Sequence, residues 1–312
     1  MLIKKEITSI MANKELIDKI KRLKEERDAV ILAHYYVDDD VQAIADYVGD
    51  SFYLAKVATG IDKKVILFCG VMFMGESAKI LNPGKTVLLP DATADCPMAH
   101  MAQVEKIEEL RKQYDDLAVV CYVNSTAELK MHSDICVTSS NALNIVKSLP
   151  NKNIFFIPDE NLGGYIKEKV TDKNIILNDG FCHVHKELTK ESVLAAKEAH
   201  KDALFLVHPE CRKEIVDLAD YAGSTAGIID FATKSEAKEF IIGTELGVMY
   251  ELKVKNPDKK FYAANEKQIC PNMKKITLEK VATALENMEH EVKLSEDVID
   301  KANAPLKRML EY

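Results

Sequence analysis

The chain repeats itself three times, and this repetition restricts it to an architecture of three like units. Three stretches, AVILAHYYVDDDVQAIADYVGDSF, AVVCYVNSTAELKMHSDICVTSSN and ALFLVHPECRKEIVDLADYAGSTAG, each pass from a β-branched, apolar run through polar residues into a helical pattern. His34, Tyr122 and His208 lie 88 and 86 positions apart, and Tyr36, Asn124 and Glu210 follow at the same two intervals. So do Asp50, Thr138 and Ser224, and then Ser51, Ser139 and Thr225. The second half of each repeat ends in a cysteine: Cys96, Cys182 and Cys270 are separated by 86 and 88 residues. One aligned set could arise by chance; five in a common register are hard to attribute to it.

Each repeat reads strand, helix, strand, helix, strand, with apolar strands bounded by Gly, Pro, Asn and Asp. Continuous apolar strands alternating with helices imply parallel sheets covered on both faces. The expected fold is therefore α/β: three pseudo-threefold-related, three-layer αβα domains with short parallel sheets, and an active site at their common interface. The expected divisions are an N-terminal helix over 1–28, units over 29–100, 101–187 and 188–273, and a C-terminal helical wrap over 274–312. The opening segment, MLIKKEITSIMANKELIDKIKRLKEERD, is charged throughout and lacks the apolar centre of a signal peptide. No apolar run approaches the ~20 residues of a membrane span. A cytoplasmic protein with no membrane association is expected. The net charge of −8 argues against nucleic acid as a partner, since such binding needs a basic surface.

Seven cysteines, an odd number with no secretion signal, do not suggest a disulfide framework, and there is no CxxC pair. Cysteine is commonly core filler, which suits Cys69 and Cys121 inside apolar strands, and also Cys136. Cys211, next to the HPE segment, has no counterpart in the other repeats. Cys96, Cys182 and Cys270 instead follow the last strand of their repeats in polar surroundings, and the first and third precede proline, a context seen in iron–sulfur ligand runs. Metal ligation is the reading for this trio. Three thiolates suit zinc, with His183 or His185 closing the set, or a 4Fe-4S cluster with one iron left open; spacing alone does not choose between them.

In open parallel sheets, ligands sit beyond the carboxyl ends of the strands. His34 and Tyr36, Tyr122 and Asn124, and His208 and Glu210 are i, i+2 pairs at those ends, so both members of each pair face the same way. Taken singly, each histidine would be a hydrogen-bonded strand-end residue and Glu210 a surface carboxylate; the shared register points to one central site. The Ser and Thr positions suit helix capping, and helix N-termini also bind anions. The glycines of NLGGYI form a turn and match no nucleotide fingerprint.

These segments resemble the quinolinate synthase family nearly end to end: AHYY, GDS, ADCPMA, YVNS, TSSNA, PDENLG, GFCHVH, HPEC, AGSTAGI, TELGVMYEL and CPNMKKITL. The resemblance implies a pseudo-threefold trio of αβα domains around a 4Fe-4S cluster held by Cys96, Cys182 and Cys270. It also implies condensation of iminoaspartate with dihydroxyacetone phosphate to quinolinate, with loss of phosphate and two waters, in NAD biosynthesis. The open iron would act as a Lewis acid. By the same resemblance Tyr36 and Glu210 are acid/base residues, with His34 and Tyr122 beside them in the chemistry. His34, Tyr122, Asn124, His208, Glu210, Ser224 and Thr225 would bind substrate, and Ser51 and Ser139 its phosphate. L-aspartate oxidase would be the functional partner that supplies the imine. Some family members carry CxxCxxC near the third cysteine; this chain has CPNM, so a regulatory disulfide of that type is not expected. Readings from other classes are an aconitase-like hydro-lyase, an iron–sulfur sensor and a zinc-stapled binding protein.

Overall fold

The computed structural model describes residues 2–312, with side chains from Asn13 onward. Among these, twelve strands form three parallel four-stranded sheets of identical topology. The first holds β1 (Ala29–His34), β2 (Tyr47–Gly49), β3 (Val65–Cys69) and β4 (Thr86–Leu88) in the order β2-β1-β3-β4. The second holds β5 (Leu117–Tyr122), β6 (Ile135–Val137), β7 (Asn153–Ile157) and β8 (Asn174–Leu177) in the order β6-β5-β7-β8. The third holds β9 (Leu204–Val207), β10 (Tyr221–Ala222), β11 (Glu239–Gly243) and β12 (Lys260–Ala263) in the order β10-β9-β11-β12. Every residue of β1, β3 and β5 is buried, as strands covered by helices on both faces must be.

Each unit thus has four strands where the sequence pattern suggested three. The additional strands β2, β6 and β10 are two or three residues long, too short to register as a hydrophobic period. A repeated aspartate starts each of them. Asp46, Asp134 and Asp220 donate their backbone N–H to the carbonyls of Ile31, Val119 and Phe205. Their carboxylates accept the N–H groups of the same three residues at 2.8, 2.7 and 2.7 Å. One side chain therefore fastens a short edge strand to the central strand of each sheet.

The N-terminal helix runs Leu2–Glu26, and Ile20 and Leu23 are buried in the core. At the other end, helices Leu278–Asn287 and Glu296–Leu310 start at capping residues Thr277 and Ser295. The last helix packs against Met72–Leu81 of the first unit and Ala127–Met131 of the second. A single hydrophobic core consequently runs through the first two sheets and both C-terminal helices. The third sheet carries two further cores, the first of which also takes in Tyr35 of the first unit. Leu206, Phe240 and Ile242 pack on one face with Ile228 and Val248, and Phe205, Val207 and Ile241 on the other with Val193 and Ile215.

Candidate active site and metal centre

The carboxyl ends of all three sheets open on one shared cavity. His34, Tyr36, Ser51, Cys96, Tyr122, Asn124, Ser139, Cys182, His208, Glu210, Thr225 and Cys270 all line it. Ser224 does not: its hydroxyl accepts the N–H of Gly227 at 3.1 Å and caps the helix Thr225–Lys234. The repeat explains the division. Asp50, at the equivalent position, likewise caps the helix Ser51–Gly60 by accepting from Tyr53 N–H at 2.9 Å, although it also reaches the cavity wall. The residue after each of these, Ser51 or Thr225, faces the cavity.

The three thiols of Cys96, Cys182 and Cys270 are free and are only partly covered as residues. Burial pushes all three above the ordinary thiol range. Cys270 and Glu210 add to the effect at Cys96, which reaches about 12, and Glu210 and Cys96 do so at Cys182. Such thiols hold their protons until a cation makes the thiolates favourable. Cys182, His185 and Glu210 also place one ligand atom each within 4.8 Å of one another, a group able to hold a metal ion. Three thiols on one cavity are a donor set suited to a thiophilic metal. The remaining cysteines are buried: Cys69, Cys121 and Cys136 in the shared core, and Cys211 in the third unit, where its thiol donates to Gly243 O.

His34 and His208 are equivalent in structure as well as in sequence. The Nδ1 of each accepts the backbone N–H two residues on, from Tyr36 and from Glu210, at 3.2 Å. That leaves the proton on Nε2, and His208 Nε2 lies 3.1 Å from Ser139 Oγ. Burial lowers both pKa values, to about 3 for His34 and about 4 for His208, so both rings are neutral donors near pH 7.

Glu210 is wholly enclosed. Burial alone would raise its carboxyl, but His208 and His185 hold it below the usual carboxylate range. Its Oε2 lies 2.8 Å from His185 Nδ1, and its Oε1 has no hydrogen-bond partner. Asn124 Oδ1 is a second buried oxygen without a partner on this wall. Buried polar atoms are rarely left unpaired, so both oxygens are free to accept from a donor that enters the cavity. Burial, and then the Glu210 charge, raise Tyr36 and Tyr122 well above the ordinary phenol value, keeping both as O–H donors.

Two residues in this network were not among those chosen from the sequence. Thr244 Oγ1 lies 2.8 Å from Tyr36 Oη and 2.9 Å from His185 Nε2, and Tyr36 Oη also lies 2.7 Å from Thr225 Oγ1. The sequence offers His185 as a fourth zinc ligand, and the family-like segments GFCHVH and TELGVMYEL contain both residues without marking either as part of a proton path. Together they complete an unbroken path, Glu210–His185–Thr244–Tyr36–Thr225.

A family model described as Quinolinate synthetase A protein matches residues 18–311. The chain is 55% identical over 299 residues to a quinolinate synthase of Caldicellulosiruptor saccharolyticus, covering 95% of this chain and 99% of the relative. It is 54% identical over 294 residues to a quinolinate synthase of Fusobacterium nucleatum, covering 94% and 98%. It is 50% identical over 301 residues to quinolinate synthase 2 of Methanosarcina acetivorans, covering 96% and 97%. The chain belongs to the quinolinate synthase family.

Proposed function

We propose that Cys96, Cys182 and Cys270 hold a 4Fe-4S cluster and that the chain condenses iminoaspartate with dihydroxyacetone phosphate to quinolinate, releasing phosphate and two waters. Quinolinate synthase activity in NAD biosynthesis follows from the family. The cluster, the transferase chemistry and the residue roles are the proposal. The observation that carries it is the convergence of three free thiols with an acid/base path on one cavity. An aconitase-like hydro-lyase or a sensor is not favoured.

Bound there, the cluster would supply a Lewis acid at the iron that no cysteine holds. The remaining chemistry falls to side chains. Glu210 Oε1, ionised and without a partner, accepts the proton removed during condensation and enolisation. Tyr36, kept neutral by burial, donates its O–H to a leaving hydroxyl. Thr244 and His185 then return a proton from Glu210 to Tyr36 along the hydrogen bonds already formed. The Nε2–H groups of His34 and His208 and the Tyr122 hydroxyl donate to carboxylate and carbonyl oxygens, as preorganised donors do at developing charge.

Ser51 and Ser139 are assigned to the phosphate. Ser51 opens the helix Ser51–Gly60, whose first N–H groups favour an anion. Asp50 beside it has both oxygens engaged, by Tyr53 N–H and by Ser140 Oγ at 3.0 Å, and burial raises its pKa. No described helix is long and apolar enough to cross a membrane. A cytoplasmic location and supply of the imine by L-aspartate oxidase complete the proposal.

Anaerobic purification tests it. The expected result is iron and acid-labile sulfide in the ratio of one cluster per chain, with quinolinate and phosphate formed together from the two substrates. A colourless zinc protein, or one that turns over without iron, would overturn it.

A further inference from the structure

The contacts that hold the three cysteine loops repeat from unit to unit. In each unit a backbone N–H just beyond the third strand donates to the carbonyl two residues before the cysteine: Met72 to Ala94 at 2.8 Å, Glu160 to Gly180 at 2.7 Å, and Leu246 to Gln268 at 2.9 Å. The residue preceding each donor is Val71, Asp159 or Glu245, again 88 and 86 positions apart. In the second and third units this residue is a carboxylate bonded to its own unit's cysteine. Asp159 Oδ2 accepts from Cys182 N–H at 3.2 Å, and Glu245 Oε1 accepts from Cys270 N–H at 3.0 Å. The first unit has valine there, and the adjacent Asp95 supplies the acceptor, Oδ1 to Cys96 N–H at 2.8 Å. All three candidate ligands therefore have their own N–H bonded by a carboxylate, although the carboxylate comes from two different places in the sequence.

Asp159 and Glu245 are 0% exposed. A buried carboxylate is costly, and the equivalent Val71, 2% exposed, shows that the fold accepts an apolar side chain at this position. The acids are therefore not demanded by packing. Each instead bridges two backbone segments, since the second oxygen accepts from Leu162 N–H at 2.7 Å in one case and from Gly247 N–H at 2.6 Å in the other. We propose that Asp159 and Glu245 are positioning residues that fix the backbone of Cys182 and Cys270 so that their thiols converge, with Asp95 serving Cys96. The proposal rests on the reading of these cysteines as ligands.

The test uses the full chain, reduced and stripped of metal, exposed briefly to a thiol-alkylating reagent, with each cysteine's labelling followed by mass spectrometry. Glu245→Val and Asp159→Val transplant the first unit's side chain. Glu245→Val should speed labelling of Cys270 alone, and Asp159→Val that of Cys182 alone, by about tenfold, as loss of one buried hydrogen bond would give. Asp95→Ala should do the same for Cys96. Glu245→Gln and Asp159→Asn, which keep one of the two acceptor oxygens, should accelerate labelling less than the valine variants do. Should a valine chain fail to fold, the alanine variant replaces it and the same selectivity is required. Equal acceleration of all three cysteines, exposure of buried Cys69, or no acceleration at all would overturn the proposal. In parallel, the reconstituted valine variants should lose iron to a chelator faster than the parent. A parent chain that assembles no cluster would refute the cluster reading while leaving the labelling result to decide the positioning roles.

Discussion

Tyr36 and Glu210 stand at equivalent positions of the first and third units, 174 residues apart in sequence, and are joined in space through His185 and Thr244. The repeat has thus turned one position into a phenol on one side of the cavity and a carboxylate on the other. Replacing Glu210 with Gln keeps the side-chain volume and removes the base. Turnover should fall by roughly 10²–10⁴, with substrate binding retained. Near-normal turnover in steady-state assays would transfer the proton chemistry to another group.

Thr244→Val interrupts the path without changing its shape, because Thr244 is wholly buried and its hydroxyl links His185 to Tyr36. The expected loss is in kcat, by about tenfold or more, at unchanged KM and unchanged iron content. Thr244→Ser should restore activity, whereas a purely structural role would leave serine as poor as valine.

The cysteines divide into two groups. Cys96→Ser, Cys182→Ser or Cys270→Ser should each prevent cluster assembly, measured as iron and sulfide per chain. Cys69→Ser and Cys136→Ser place a hydroxyl in a closed core and should cost about 1–3 kcal/mol of stability while leaving the cluster intact. A fully loaded cluster in any of the first three variants would remove that residue from the ligand set.

Acid should destabilise the metal-free chain through its histidines. His34 and His208 have folded pKa values of about 3 and about 4 against 6.5 when exposed, so the unfolded chain binds more protons between those limits. Stability contributed by neutral burial is complete above pH 6.5 and declines as the pH falls toward 4, by roughly 1.4 kcal/mol per pH unit for each histidine. Denaturant titrations between pH 7 and 5 should show this slope, and His34→Gln should reduce it. An unchanged slope in that variant would mean that other groups control it.

The parallel sheets and the convergence of strand-end residues and three cysteines on one cavity are legible because the repeat places like residues at like positions. What escaped was whatever broke the repeat or fell below its resolution. The edge strands β2, β6 and β10 are too short to show a period, although Asp46, Asp134 and Asp220 marked their starts at the common spacing. Asp159 and Glu245 share the interval, but Val71 interrupts the set, and only coordinates show that Asp95 replaces the missing carboxylate. His185 and Thr244 lie in different segments, and nothing in the sequence reveals that one faces the other across 2.9 Å. Ser224 shows the converse: it obeys the repeat, yet its hydroxyl is taken up by a helix N-terminus.

The unequal sharing of cores has a consequence for how the chain comes apart. The first two sheets and the C-terminal helices draw on one continuous core, whereas the third sheet is sandwiched between two separate ones, one of which takes in Tyr35 of the first unit. Breaking the last helix away from the first two units should therefore expose both at once, and their amide hydrogens should exchange with solvent as a single cooperative block. Amides of β9 and β11 should form a second block with a lower opening free energy. Cys270 follows the third sheet in sequence but packs against the shared core together with Cys96 and Cys182, so opening of the second block alone would leave the three thiols in place. Whatever the three thiols hold would then be kept while one third of the molecule breathes and the other two thirds stay folded.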